Sequence, residues 1–359
     1  METTIMAIAK SMNDVEWCSR NITIVLTTSP IRTHPSTRLI EETFVSFTLC
    51  PELVACPKII IADGVKIKDQ PKYRSGIVSN EAHAAYRHYL YRLAHLTESP
   101  ESPLFGARLI NLQERHGFAH ALRRGLVRVT TPYLLVAQHD RSFRRQAPVT
   151  EVLKSMEGDM TINYVGFPTS STIDYVRYIR DKYAIRLTPV PSIAQSHLEF
   201  IPLVQWYDSM HVAKTDFYLS RVFGKDRFVN LPPGGFIEDT LGQAMLAAVR
   251  SEGVDALEQY GVFVCNDQGG VAVGHIDGHD SRTAFCDCRK FDYAHRHTSE
   301  EEWQAIEQGM AMQWWLDRDA AMRGGELPYE VLVGFNDDID PATGRHVSLL
   351  GLDDAVTET

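Results

Sequence analysis

The segment 117–143, GFAHALRRGLVRVTTPYLLVAQHDRSF, constrains the fold more than any other. A helix-like stretch carrying the small residues Gly117, Ala119, Ala121 and Gly125 runs into Thr130-Thr131-Pro132. The apolar run Tyr133-Leu134-Leu135-Val136-Ala137 then reads as a buried strand that ends on Gln138-His139-Asp140. Open α/β sheets bind ligands at the carboxyl ends of their strands, and a carboxylate there can hold a divalent cation against a diphosphate. The same alternation fills the preceding chain. Asn21–Thr27 reads as a first buried strand ending in Thr28-Ser29-Pro30. A loop leads to a helix capped by Ser36 or Thr37, with an apolar stripe of Leu39, Ile40, Phe44 and Phe47. Lys58–Ala62 is a second strand ending on Asp63-Gly64, 79–97 a helix, and Arg108–Leu112 a third strand. Strands alternating with helices imply a mostly parallel sheet covered on both faces, with Thr27, Thr28, Asp63 and Asp140 along one edge. The first strand is not followed by Gly-x-Gly-x-x-Gly and the chain has no Walker A sequence, which disfavours dinucleotide-binding and P-loop enzymes.

Composition narrows the class. A hydrophobic content of 44% over 359 residues supplies a core and excludes a disordered chain. The net charge of -10 disfavours a nucleic-acid partner, although Arg123-Arg124 and Arg141, Arg144 and Arg145 lie beside the ligand edge, where they could meet phosphates. The six cysteines read as reduced thiols; a zinc site from Cys286, Cys288, His295 and His297 has no familiar ligand spacing. The N-terminal stretch is not a secretory signal, and no run is long and apolar enough to span a membrane, so a cytoplasmic protein is expected.

Beyond 143 the pattern is less regular. Thr161–Phe167 reads as another strand. Gln205-Trp206-Tyr207-Asp208-Ser209-Met210-His211 mixes flat aromatic surface with hydrogen-bonding groups, as carbohydrate sites do, or else packs its aromatics as a half-buried strand or turn. Val271–Val273 is an apolar strand running into Gly274-His275-Ile276-Asp277-Gly278. Residues 299–323 read as a helix whose Trp303, Ile306, Met310 and Trp314 form one stripe docking on the core, and the tail after 351 is acidic.

Together these residues resemble GT-A glycosyltransferases, particularly the family-2-like group, over about 20–285. The matched points fall in order: Thr27-Thr28-Ser29-Pro30, Asp63, Gln138-His139-Asp140, Gly234-Gly235-Phe236-Ile237-Glu238-Asp239, and His275. The resemblance implies a GT-A, Rossmann-like α/β fold with a mostly parallel sheet. It implies a catalytic domain over 1–290, with a nucleotide-sugar half at about 20–143 and an acceptor and catalytic half at about 144–290. Residues 291–359 would form a C-terminal helical extension and acidic tail. The implied activity is metal-dependent, inverting transfer of a sugar from a nucleotide-diphosphate donor, with UDP-sugars favoured, to a hydroxyl acceptor.

By the same resemblance, Thr27, Thr28, Ser29, Asp63, His116, Gln138 and His139 would meet the donor, with Arg115 and His120 beside them. Asp140 and His275 would hold Mn²⁺ or Mg²⁺. Asp239 would act as general base, with Glu238 as its neighbour or as an acceptor ligand. Trp206, Tyr207 and Asp208 would face the acceptor. Gln138 departs from the family pattern, which has an acid there. That departure motivates a second reading, a non-catalytic binding protein of the same fold. His139-Asp140 and His279-Asp280 motivate a third, an HD-type metal phosphohydrolase, which would have to be all-helical.

Overall fold

In the computed structural model, residues 2–70, 72–194, 197–276 and 330–332 are described. The N-terminus forms a helix, α1 (Glu2–Asn21), where the sequence showed only a short apolar run. There follow β1 (Ile22–Thr28), α2 (Arg38–Ser46), β2 (Lys58–Ala62), the short β3 (Lys66–Ile67) and β4 (Ile77–Val78), and α3 (Asn80–Glu98). Next are β5 (Arg108–Leu112), α4 (Phe118–Leu126), β6 (Tyr133–Gln138), β7 (Arg141–Phe143), α5 (Val149–Gly158) and β8 (Tyr164–Gly166). The later elements are α6 (Tyr175–Tyr183), β9 (Val190–Pro191), β10 (Glu199–Pro202), β11 (His211–Lys214), α7 (Thr215–Phe217), α8 (Gln243–Glu252), β12 (Val262–Asn266), β13 (Val273–His275) and β14 (Glu330–Leu332). No described helix is long and apolar enough to cross a membrane.

Ten strands form one sheet in the order β14-β5-β2-β1-β6-β11-β8-β12-β10-β9. β5, β2, β1 and β6 pair in parallel, as do β8 and β12. β11 runs antiparallel between β6 and β8, and β10 runs antiparallel to β12. The expected mostly parallel sheet flanked by helices is therefore present. The antiparallel insertion follows from chain order: β6 and β8 are joined through α5 and leave a one-strand gap, which β11 fills on its return. β14, from the segment read as an extension, adds a parallel strand beside β5. The helix expected at 299–323 and the acidic tail lie outside the described residues.

Strand periodicity sorts the core into two layers. Ile22, Ile24, Leu26, Ile60, Leu135 and Ala137 point to the layer shared with α2, α3 and α5. Val25, Ile59, Ile61, Leu134 and Val136 point to the layer shared with α4, α6 and α8. Every residue of β1 is buried, which is why it reads as an unbroken apolar run. Of the two cap candidates at α2, Ser36 Oγ accepts the Arg38 backbone N–H at 3.4 Å, whereas Thr37 makes no side-chain bond to the helix backbone and its Oγ1 donates to Glu41 Oε1 at 2.6 Å.

α4 lies close on the sheet because Gly125 faces β2. A Cβ at Gly125 would stand 2.1 Å from Ile61 Cδ1 and 2.7 Å from its Cγ1. Ile61 is fully buried and has nowhere to move. Gly125→Ala is expected to cost about 1–3 kcal/mol in urea denaturation. Adding Ile61→Val, which removes the clashing methyl, should recover part of that loss, so that the double variant is more stable than the sum of the single changes.

Candidate functional site

The carboxyl ends of β1, β2 and β6 open into a cleft lined by Thr27, Thr28, Ser29, Asp63, Gln138 and His139. Arg115, Gly117, Phe118, Tyr73 and the loop residues Gly234 and Phe236 close it from the other side. Of the strand ends expected to share an edge, Thr27, Thr28 and Asp63 line this cavity, and Asp140 lies two residues beyond its lining residue Gln138.

Asp63 builds the wall of the cleft. Its Oδ1 accepts the backbone N–H of Gly64 at 3.0 Å and of His116 at 2.8 Å, and its Oδ2 accepts that of Gly117 at 2.8 Å. The carboxylate thus fixes the turn from β5 into α4, with part of its acceptor capacity spent on the backbone. His116 is 2% exposed and its Nδ1 donates to the Glu114 carbonyl at 2.6 Å, so its neighbour Arg115 faces the cleft. His120 turns its Nε2 to the Leu231 carbonyl at 3.2 Å. Gly117 has φ +79°, and a Cβ there would lie 2.3 Å from Gly234 Cα, so two loops touch backbone to backbone. Gly234 N donates to His116 O at 2.9 Å, and Phe118 stacks on Phe236 at 5.3 Å. Arg115 Nη2 donates to Gly234 O at 3.1 Å.

Thr28 Oγ1 pairs with Tyr89 Oη at 2.8 Å, while Ser29 is exposed at the cleft. His139 is buried, its N–H bonds Thr27 O at 3.1 Å, and its Nε2 has no hydrogen-bond partner.

Asp140 and His275 meet. β13 pairs antiparallel with β7, placing His275 opposite Arg141, and His275 Nε2 lies 2.8 Å from Asp140 Oδ2. Burial pushes the Asp140 carboxyl up, but the His139 imidazole, the His275 hydrogen bond and charge, and Arg141 outweigh it and hold the carboxyl well below its ordinary value. Asp140 Oδ1 is buried with no hydrogen-bond donor. An ionised carboxylate with an orphaned oxygen beside an imidazole suits a hard or borderline divalent cation. Among the described residues no three His, Cys, Asp or Glu side chains converge as a metal cage. Asp140 and His275 are the two side chains at this point that could hold such a cation. His279-Asp280 and the zinc set at 286–297 lie outside the described residues.

Glu238 and Asp239 are both exposed at the start of a π-helical turn, Glu238–Gly242, that runs into α8. Such turns are rare and concentrate at functional sites. Glu238 Oε2 accepts the Asp208 N–H at 3.1 Å, and Asp208 Oδ2 accepts the Glu238 N–H at 3.0 Å.

Two residues expected at the acceptor surface belong to the core instead. Trp206 is 1% exposed, packed against Tyr164 at 4.7 Å, and its Nε1 donates to Asp208 Oδ1 at 2.9 Å. Asp208 is 2% exposed. Burial, and then the nearby Glu238 charge, push its carboxyl well above the ordinary range. The Trp206–Asp208 pair is an internal hydrogen-bonded cluster, and of the three residues expected at the acceptor only Tyr207, half-buried against Tyr175, keeps an outer edge. Sequence reasoning left Tyr73 out of the site and gave Arg115 only a flanking role. Tyr73 offers no strand-end pattern to find it by.

No protein-family model matches this chain, and no curated protein sequence does. Solved structures do. A mannosyltransferase from Pyrobaculum calidifontis, solved with GDP-Man and Mn²⁺, aligns at TM-score 0.38 and 13% identity, over 72% of this chain and 63% of its own. Glucosyl-3-phosphoglycerate synthase from Mycobacterium tuberculosis, solved with Mn²⁺, UDP and glucosyl-3-phosphoglycerate, aligns at 0.34 and 14% identity, over 84% and 82%. Residues 1-349 of S. aureus TarS, solved with UDP-GlcNAc, align at 0.38 and 8% identity, over 70% and 57%. The chain thus spans less than two thirds of the mannosyltransferase and of that TarS chain.

Two measurements probe this site without any ligand. Asp63→Asn keeps the shape but sets an amide N–H against the Gly117 N–H. It is expected to destabilise the protein by roughly 2 kcal/mol in chemical denaturation. His211 is fully buried between the Ser209 carbonyl and the Tyr218 hydroxyl. The carbonyl can only accept, so Nδ1 carries a proton, and burial of the ring favours its neutral form. Burial pulls its pKa from 6.5 down to about 3. An unfolded histidine binds a proton below about 6.5 while the folded one does not, so this stability is full above that pH and lost as pH falls towards 3. Between pH 7 and pH 5 the wild type should lose about 2 kcal/mol more than His211→Asn. Equal losses would mean that the folded protein protonates this ring.

Proposed function

We propose that the chain is a divalent-metal-dependent glycosyltransferase that moves a sugar from a nucleotide-diphosphate donor to a hydroxyl acceptor. The observation that carries this reading is the Asp140–His275 pair beside the strand-end cleft, with an ionised carboxylate whose second oxygen is buried and unsatisfied. The ordered sequence resemblance, from Thr27 through His275, supports the same reading. His139 and Asp140 follow a strand, β6, in a mixed sheet, which does not suit the all-helical phosphohydrolase.

Mn²⁺ or Mg²⁺ held by Asp140 and His275 would neutralise the charge that develops on the departing diphosphate. The rest falls to the chain. The cleft between Thr27–Ser29, Asp63 and Arg115 receives the nucleotide, and a UDP-sugar is the favoured donor. Asp239, exposed at the π-helical turn, takes the proton from the attacking hydroxyl. The bond from the sugar's anomeric carbon to the new oxygen forms as the bond to the diphosphate oxygen breaks. The electron pair leaves with the diphosphate, and the anomeric centre inverts. Glu238 and Tyr207 line the acceptor side. The catalytic domain is read as 1–290, with the later segment as an extension, and the protein is read as cytoplasmic.

Release of nucleotide diphosphate from UDP-, GDP- and dTDP-sugars, with Mn²⁺ and with EDTA, tests the reaction. Turnover of one donor is expected with metal and not with EDTA, and it should be lost in Asp140→Ala and His275→Ala. Asp239→Asn should lower kcat by roughly 10²- to 10⁴-fold with donor KM little changed. A product of retained anomeric configuration would remove the base role from Asp239. Donor binding with no transfer to any acceptor would favour the non-catalytic reading.

A further inference from the structure

Gln138 stands where the resemblance places a metal-binding acid, and its amide is already committed. Its Nε2 donates to the Asp208 carbonyl at 2.6 Å. Asp208 uses every other polar handle it has. Its N–H donates to Glu238 Oε2 at 3.1 Å, its Oδ2 accepts the Glu238 N–H at 3.0 Å, and its Oδ1 accepts the Trp206 indole at 2.9 Å. Gly242, in the same turn as Glu238, sits against the Trp206 backbone so closely that a Cβ would be 3.1 Å from Trp206 N. The result is one unbroken path. It runs from Asp140 through His139 to Gln138, across a hydrogen bond to Asp208, and across two more to Glu238 and its neighbour Asp239.

We propose that Gln138 and Asp208 form a positioning strut that sets the Glu238–Asp239 turn relative to the Asp140–His275 pair, and that the amide at 138 serves this purpose and is not a lost metal ligand. An acid at 138 has no N–H to give. Its oxygen would face the Asp208 carbonyl oxygen as a second acceptor and push the two strand-end loops apart. The strut joins the two ends of the reaction: Gln138 lies two residues from Asp140, and Asp208 is hydrogen-bonded to Glu238, the residue before Asp239. A misplacement of about 1 Å between such groups costs on the order of a hundredfold in rate. Asp208 is buried and acts through the groups it holds, while Gln138 holds the Asp208 carbonyl from the wall of the cleft. The inference rests on the proposed transfer reaction for its kinetic consequence, while the strut itself is visible without turnover.

The test uses the full chain with Gln138→Leu, Gln138→Glu and Gln138→Asp. Binding of Mn²⁺ alone is measured by titration calorimetry. The Trp206 indole N–H is followed by ¹⁵N–¹H NMR and assigned with Trp206→Phe. Kinetics are measured with the donor that the wild type turns over. The Leu variant removes the amide without placing a second acceptor or a charge against the Asp208 carbonyl, so it keeps the experiment decisive if the acidic variants fold poorly. The strut predicts Mn²⁺ affinity unchanged within about threefold in all three variants. It also predicts a shifted, faster-exchanging Trp206 resonance and a kcat lowered by about tenfold to a hundredfold. Tighter Mn²⁺ binding together with faster turnover in Gln138→Asp or Gln138→Glu would overturn it and make position 138 a ligand site. An unmoved Trp206 signal in Gln138→Leu would also overturn it. If the wild type transfers no sugar, the transfer reaction fails, whereas the Trp206 and Mn²⁺ readouts still decide the strut.

Discussion

A single buried carboxylate decides whether this cleft exists. Asp63 sits at the end of β2 and accepts three backbone N–H groups from two separate turns. Without it those donors would be buried and unpaired, and the turn into α4 would have no reason to hold its shape. That turn carries Gly117, which meets Gly234, and Arg115, which bonds the Gly234 carbonyl. The Gly234–Phe236 loop leads directly into the Glu238–Gly242 turn. The acidic residues at the far side of the cleft are thus placed through contacts that begin at β2. A binding edge on an open sheet needs walls as well as strand ends, and here the walls are held by backbone hydrogen bonds to a side chain.

Some of this was legible in the sequence, and the reason is burial. β1, β2, β5 and β6 are covered on both faces or nearly so, so each is a short apolar run that ends where the chain reaches the edge. Thr28, Asp63 and Asp140 mark those ends as written. The Asp140–His275 pairing was expected from the resemblance, and the β7–β13 ribbon brings the two together. Three features were hidden. β11 carries His211 and Lys214, which look unlike a central strand, and its antiparallel place depends on a gap left by other elements. The Trp206–His211 stretch has the composition of a sugar surface, yet Asp208 offers the indole a buried acceptor, so the same residues turn inward. Gln138 looks like a missing acid when read alone, because its partner lies 70 residues away.

The polar interior behind the site is unusual in how completely it is paired. His211, Tyr218, Tyr164, Trp206 and Asp208 bring imidazole, phenol, indole and carboxyl groups into one aromatic cluster, and the hydrogen bonds on each are specific. Tyr164 Oη donates to the Tyr207 carbonyl at 2.6 Å, and His211 stacks on Tyr164 at 4.2 Å. Such a network stabilises one geometry sharply because any partial rearrangement leaves a polar group unpaired in a low-dielectric interior. That is the property needed beneath a turn whose acidic side chains must stay in place while exposed.

Asp140 and His275 are 135 residues apart in the chain. Closing so long a loop costs on the order of 4 kcal/mol in chain entropy, and that cost falls on the whole intervening structure, because the two side chains share no local element. The β7–β13 pairing holds the two side chains together only because the elements between them are in place. Any cation that prefers the assembled pair to the open chain would draw the folding equilibrium toward the folded state by mass action. Under the proposed reading, an ion held by Asp140 and His275 would also be a clasp on its own scaffold, joining the two ends of that span.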